Sequence, residues 1–251
     1  MRPVGVLCAL PQELAGLTAA LDADATSTAA GMRFHAGRLD GHDVVLAQAG
    51  MGKVNAAIAA TLLIERFGAR AVVFSGVAGG LDPALAIGDV VLAEHVIQHD
   101  AGYSTPSGFV TYQAGHLPFF NPADGLGLPA DAALLARAGA ALQGLELAPL
   151  SHAAGGTGAP PRLVTGQVLT GDYFVNSEAV REALFARFGA QAVEMEGAAM
   201  AQACAAFGVP WLVIRALSDL AGAQSHLDFH AFGAEVARSS ALILRRLLGV
   251  L

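Results

Sequence analysis

The apolar residues of this chain come in short runs of two alternating kinds, and its polar residues gather where one kind ends. Val4–Ala9, Ala71–Phe74, Asp89–Val96, Leu163–Thr170, Ala190–Met195 and Trp211–Ala216 read as buried strands. Pro11–Leu21, Gly52–Phe67, Ala130–Gln143, Ser177–Phe188, Gly197–Phe207 and Phe229–Leu248 read as helices, with Pro11 in a first turn and Ser177 as a cap. Met32–Arg38 and Asp43–Ala47 form a further strand pair joined through Asp40-Gly41. This alternation, without an independent linker, predicts one α/β domain over residues 1–251, with a mixed, largely buried sheet flanked by helices.

Composition removes several function classes. A net charge of −7 and only 14 basic residues, scattered and including a single lysine (Lys53), argue against binding to nucleic acid backbones. The mean hydropathy of +0.53 would suit a membrane protein. The runs exclude that: Ala56–Ile64 and its like fall far short of the roughly 20 residues that a spanning helix needs. Met1-Arg2-Pro3 leads straight into a strand, so no signal peptide is expected and a cytoplasmic location is. Cys8 and Cys204 sit in apolar settings and read as buried free thiols, with neither a disulfide nor a metal site expected.

Two segments break the alternation. From Gly102 to Ala130 the only charged residue is Asp124, yet Tyr103, Phe109, Tyr112, Phe119 and Phe120 fall there. A long aperiodic stretch rich in aromatics reads as a lid or a subunit contact in preference to a plain surface loop. Ser151–Pro161 is an uncharged, Gly/Ala/Pro-rich connector.

Ligands of such folds collect at the carboxyl ends of strands. The strand ends here deliver Glu13, the segment Ser75–Gly80, the segment Gly171–Asn176, Glu194 with Glu196, and Arg215 through Asp219. Each has a plainer reading. Glu13 suits a helix N-terminus, Glu194 and Glu196 share a strand face where one can be a salt-bridged end, and Asp219 can be a cap. Ser75–Gly80 can be a simple turn, His99-Asp100 a structural pair, and His226 a capping or hinge residue. The concentration of so many polar strand ends in a chain that is only 14% charged favours a site.

Four blocks carry a resemblance: Ala49–Ala57, Ser75–Gly80, Val193-Glu194-Met195-Glu196-Gly197-Ala198 and Arg215-Ala216-Leu217-Ser218-Asp219. In order and spacing they resemble the purine nucleoside phosphorylase/uridine phosphorylase superfamily, and within it the 5′-methylthioadenosine/S-adenosylhomocysteine nucleosidases. The resemblance implies a nucleoside phosphorylase-like, partly barrel-like mixed sheet, a homodimer, an adenine nucleoside as substrate and no cofactor. It implies hydrolysis of the N-glycosidic bond with release of adenine. By the same resemblance Asp219 is the acid that protonates N7, oriented by Ser218. Glu13 is the base for water, with Arg215 organising that region. Glu196 holds the ribose hydroxyls and Met195 packs on the sugar. Phe174 stacks on the purine, and the Val175 backbone reads its edge. Val77, Ala78 and Gly79 line the ligand, and Phe229 with the Asn176 region closes the pocket.

The chemistry needs three carboxylates. Adenine leaves readily only when protonated, the developing oxocarbenium ion needs a negative group at the sugar, and water must be activated on the opposite face. The phosphorylases of the superfamily that this chain resembles hold phosphate with arginines, one of them close to the glycine turn after the first strand, whereas this sequence reads Pro11-Gln12-Glu13 there, with no basic residue until Arg33. A non-catalytic nucleoside-binding member would be expected to lose a carboxylate, and Glu13, Glu196 and Asp219 are all present. Val77 stands where close relatives often have serine, and Tyr173 is bulkier than the small residue expected there.

Overall fold

Every residue of β1 (Val4–Cys8) is buried, as a central strand demands. It lies between β4 (His42–Gln48) and β5 (Ala71–Gly80), parallel to both. The described residues of this computed structural model are 2–151 and 158–251, so most of the Ser151–Pro161 connector lies outside them. Beyond β4 the sheet runs antiparallel through β3 (Met32–Leu39) to an edge at β2 (Asp22–Ala29). On the other side β5 continues into β12 (Trp211–Asp219), β6 (Val90–Gln98), β10 (Leu163–Thr170) and β11 (Ala192–Glu194). β11 then pairs back, antiparallel, onto Gly79 and Gly80 of β5, closing a five-stranded barrel. The expected mixed, partly barrel-like α/β fold is the one observed.

Helices cover both faces. α2 (Lys53–Glu65) and α5 (Gly197–Ala206) pack together on one side. Ala56, Ala59 and Ala60 of α2 and Ala198, Ala199 and Ala201 of α5 are buried in the same core cluster, small side chains that let helices approach closely. α1 (Pro11–Ala20), α3 (Ala132–Leu142) and α6 (Ser225–Leu247) cover the other face with Leu14, Leu17, Leu134, Leu142, Ile243 and Leu244. α4 (Glu178–Phe188) packs Leu184 into a third, smaller cluster. Among the described residues no helix is long and apolar enough to cross a membrane.

Four readings of the sequence change. Ser75–Gly80 is not a turn: β5 runs through it, paired to β12 and then to β11. Its glycines keep extended backbone while offering no side-chain pattern to read. β2 is a mostly exposed strand of Asp, Ala, Thr and Ser residues that joins the sheet by backbone pairing with β3, a Thr26–His35 side-chain bond of 3.1 Å and Ala29 packed on the core. α6 starts at Ser225, one turn before Phe229. Ser177 occupies the cap position of α4 but its side chain makes no capping bond.

The 102–130 segment contains a hairpin, β7 (Gly102–Thr105) with β8 (Gly108–Thr111), and a short β9 (Leu128–Pro129) on the β6 edge. Phe119 and Phe120 project into solvent, 75% and 82% exposed.

Candidate active site

The barrel closure places the site. Gly79 is paired with Val193 on one side and Asp219 on the other, so the ends of β11 and β12 meet across a strand without side chains. A Cβ on Gly79 would stand 3.0 Å from Asp219 Oδ1. A Cβ on Gly76 would collide with both the Arg215 guanidinium and the Glu13 carboxyl. The glycine segment is where the charged groups lie against the sheet.

Among the described residues Arg215 is the largest fully buried side chain. Its Nη2 donates to Glu194 Oε2 and, at 3.4 Å, to Glu196 Oε2. Its Cζ lies 4.2 Å above the centroid of the Phe74 ring, a cation–π contact. Nε and Nη1 have no hydrogen-bond partner among the described residues. Burial works against its charge, but Glu194, Glu196 and Glu13 together hold its pKa above the ordinary value.

Glu194 is saturated with donors. Its carboxylate accepts the N–H groups of Glu196 and Gly197 at the N-terminus of α5, the Thr170 hydroxyl and Arg215. Glu194 is therefore the salt-bridged strand end, as its plainer reading had it. Glu196 no longer belongs to the strand. It is the N-cap of α5, and both carboxylates converge on Arg215 as cap and strand end rather than as alternate strand positions.

Glu196 Oε1 accepts the Gly52 N–H at 2.8 Å. Burial, then the neighbouring Glu194 charge, push its pKa up to about 7 against the pull of Arg215 and that N–H.

Glu13 is both a helix-terminus residue and a site residue. Its Oε2 accepts the N–H groups of Ala9 and Leu10, each at 2.8 Å, completing the start of α1. Its Oε1 accepts the Val77 N–H at 2.9 Å. Burial raises its pKa, with Arg215 and these three donors opposing. No hydrogen bond joins Glu13 to Arg215; the guanidinium reaches it only through space beside Gly76.

Asp219 ends β12. Ser218 Oγ donates to its Oδ2 and the Ala221 N–H to its Oδ1, both at 2.9 Å. Ala221 has a φ of +52°, a left-handed conformation that brings this N–H onto the carboxylate.

These groups border one cavity of about 380 Å³, in the range of small-molecule sites. Glu13, Val77, Ala78, Gly79, Phe174, Met195, Glu196, Ser218, Asp219 and Phe229 all line it, so most residues singled out in the sequence are together. The Phe174 and Phe229 rings meet edge to face at 6.4 Å. Arg215 sits behind the wall, and Val175 lines a small adjoining void with Tyr173 and Gly79. No residue of the 102–130 segment borders the cavity, so that segment is not a lid over its own site.

Met51, Val193, His226 and His230 also line it, and sequence reasoning did not place them there. His226 reads as a hinge until α6 is known to begin before it. A larger open groove of about 710 Å³ runs between α1 and β3, but none of the four carboxylates borders it. His99-Asp100 is not a pair: Asp100 binds Lys53, and His99 Nε2 has no partner among the described residues. Among those residues no group of His, Cys, Asp and Glu is arranged to hold a metal ion.

A family model described as the phosphorylase superfamily matches residues 3–249. A 5′-methylthioadenosine/S-adenosylhomocysteine nucleosidase of Mycobacterium bovis is 55% identical, over 99% of this chain and 97% of the relative. The solved structure of a nucleosidase of that name from Colwellia psychrerythraea, in complex with adenine, superposes with a TM-score of 0.83 at 38% identity, covering 100% and 96% of the two chains. Futalosine hydrolase of Helicobacter pylori superposes with a TM-score of 0.82 at 31% identity, covering 100% and 98%. With residues 3–249 matched by the family model, a relative 55% identical over nearly the full length and a fold that superposes throughout, the chain belongs to the phosphorylase superfamily, among its 5′-methylthioadenosine/S-adenosylhomocysteine nucleosidases.

Proposed function

We propose that this protein hydrolyses the N-glycosidic bond of 5′-methylthioadenosine, S-adenosylhomocysteine or both, releasing adenine and a 5-thio-substituted ribose. One observation carries the reading: three carboxylates in different environments, Glu13, Glu196 and Asp219, border one cavity. Asp219, with Ser218 donating to it, protonates N7 as the bond breaks. Glu196 accepts the ribose hydroxyls and stabilises the oxocarbenium charge, which is greatest at the transition state. Met195 packs on the sugar. Glu13 takes a proton from the attacking water, and the unpartnered Nη1 of Arg215 supports the same region from behind Gly76. Phe174, backed by Phe229, stacks on the purine, the Val175 backbone reads its edge, and Val77, Ala78 and Gly79 form the floor.

The cavity lining also supports hydrolysis over phosphorolysis. Among the described residues no lysine or arginine borders it, while Glu13, Glu194, Glu196 and Asp219 do. A phosphate dianion there would meet carboxylates, with the Arg215 guanidinium behind the wall and already paired to Glu194 and Glu196.

The whole chain acts as one domain in the cytoplasm, a setting that suits the free, buried Cys8 and Cys204. The exposed Phe109, Phe119 and Phe120 supply an apolar contact for a homodimer.

Chromatography of the products formed from methylthioadenosine, with and without phosphate, tests the reaction. Adenine with free sugar under both conditions is expected. Sugar 1-phosphate, formed only when phosphate is added, would overturn hydrolysis.

A further inference from the structure

Lys53 is the only lysine of the chain, and it belongs to a closed ring of three residues drawn from three connections. Its Nζ donates to Asp100 Oδ1 at 2.7 Å. Asp100 Oδ2 accepts the Asp172 N–H at 2.8 Å, and Asp172 Oδ1 accepts the Lys53 N–H at 2.8 Å. Asp100 follows β6, Asp172 follows β10, and Lys53 opens α2. The side chains of Lys53 and Asp100 are each only 20% exposed, so water and salt screen this pair less than a surface one.

The ring touches both halves of the site. Gly52, the residue before Lys53, donates its N–H to Glu196. Phe174 stands two residues after Asp172 and lines the cavity. α2 has no cap of its own: Gly52 has a φ of +95°, there is no side-chain capping bond, and the first turn holds no acidic residue. Asp172 and Glu196 supply the missing acceptors. A Cβ on Gly52 would stand 3.1 Å from Asp172 Oδ1, so the approach uses glycine's lack of a side chain.

We infer that Lys53 is a positioning residue: through Asp100 and Asp172 it locks the purine-side loop 171–174 to the start of α2, and through Gly52 it fixes Glu196 against the ribose. The inference rests on the proposed reaction for the roles of Phe174 and Glu196. Lysine suits the place because its ammonium is a compact charge that reaches Asp100 without the planar fork of arginine. Neutralising it leaves the Lys53 N–H intact but frees Asp100, and with it the loop.

The test compares Lys53→Met, Asp100→Asn and the double variant by the KM for methylthioadenosine and by the Kd of adenine from calorimetry. Each single variant is expected to raise both constants about tenfold while kcat falls less than threefold. The double variant should be no worse than either single one, and Lys53→Arg should recover most of the affinity. Constants within twofold of wild type, or a double defect equal to the product of the singles, would overturn the inference.

If Lys53→Met does not fold, the lone lysine permits a chemical version on the folded protein. Acetylation removes its charge and reductive dimethylation keeps it, with identically treated Lys53→Arg protein controlling for the α-amine. Lost adenine affinity after acetylation alone supports the inference, and equal effects of the two treatments overturn it. Wild-type protein that released no adenine would defeat the proposed reaction instead, and would leave the comparison of adenine affinities standing.

Discussion

Arg215 and Glu194 form an ion pair that water does not reach, with side chains 0% and 2% exposed. A pair so buried is an uncertain source of stability as a unit, but breaking it strands the remaining charge. Glu194→Gln is expected to lower unfolding stability by about 3–5 kcal/mol, read from denaturant titration. A loss under about 1 kcal/mol would mean that Glu196 alone suffices to hold the guanidinium.

Asp219→Asn keeps the shape of the carboxyl and an acceptor for the Ala221 N–H, yet removes the acid. Turnover should fall by roughly 10²–10⁴-fold, the usual worth of general acid catalysis, with binding of a non-hydrolysable nucleoside changed only a few-fold. Ser218→Ala should cost less, about tenfold, by removing a hydroxyl that orients the acid. Unchanged turnover in Asp219→Asn would place the acid elsewhere.

Glu196 gives the enzyme a pH signature. Its carboxyl has a pKa of about 7 in the fold against an ordinary 4.5, so folding favours its neutral form. The stability this contributes is complete below the ordinary value and drains as pH rises through about 7. Activity runs the other way, because the ionised carboxylate is the form that stabilises the oxocarbenium ion. The acid limb of kcat/KM is expected near pH 7. The groups facing Glu196 are Glu194, Arg215, Glu13 and the Gly52 N–H. Removing the Glu194 charge should therefore move the limb to lower pH; a limb unmoved in Glu194→Gln would assign it to another group.

Gly76→Ala adds one methyl where the Arg215 guanidinium and the Glu13 carboxyl close on the strand. Neither neighbour is the free end of a solvent-exposed chain, since both are buried and bonded. Overpacking of about 1–3 kcal/mol and a loss of activity larger than that of Gly139→Ala are expected from thermal melts and initial rates. Gly139 has open space around it and serves as control.

The carboxylates are legible in the sequence because, although each has a plainer reading alone, Glu13, Glu194, Glu196 and Asp219 crowd the strand ends of a chain that is only 14% charged. The course of β5 beyond Phe74 is hidden, because a strand of glycines offers no alternation. The same lack of side chains lets Arg215, Glu13 and Asp219 pack against it. β2 is hidden for a different reason: its apolar residues are only alanines among Asp, Thr and Ser, too small a stripe to read as a strand before its pairing with β3 is seen. Spacing along the chain cannot show that Asp100 belongs with Lys53 rather than with the adjacent His99. That choice is made by the meeting of two loops and a helix end in three dimensions.

The uncapped start of α2 has a consequence for synthesis. The acceptors that complete its first N–H groups lie 119 and 144 residues downstream. At roughly 5–20 residues per second on the ribosome, this helix emerges on the order of ten seconds before the carboxylates that finish it. Until then the nascent N-terminal segment carries open N–H donors at the start of this helix, and the residues that close them are residues of, or next to, the active site.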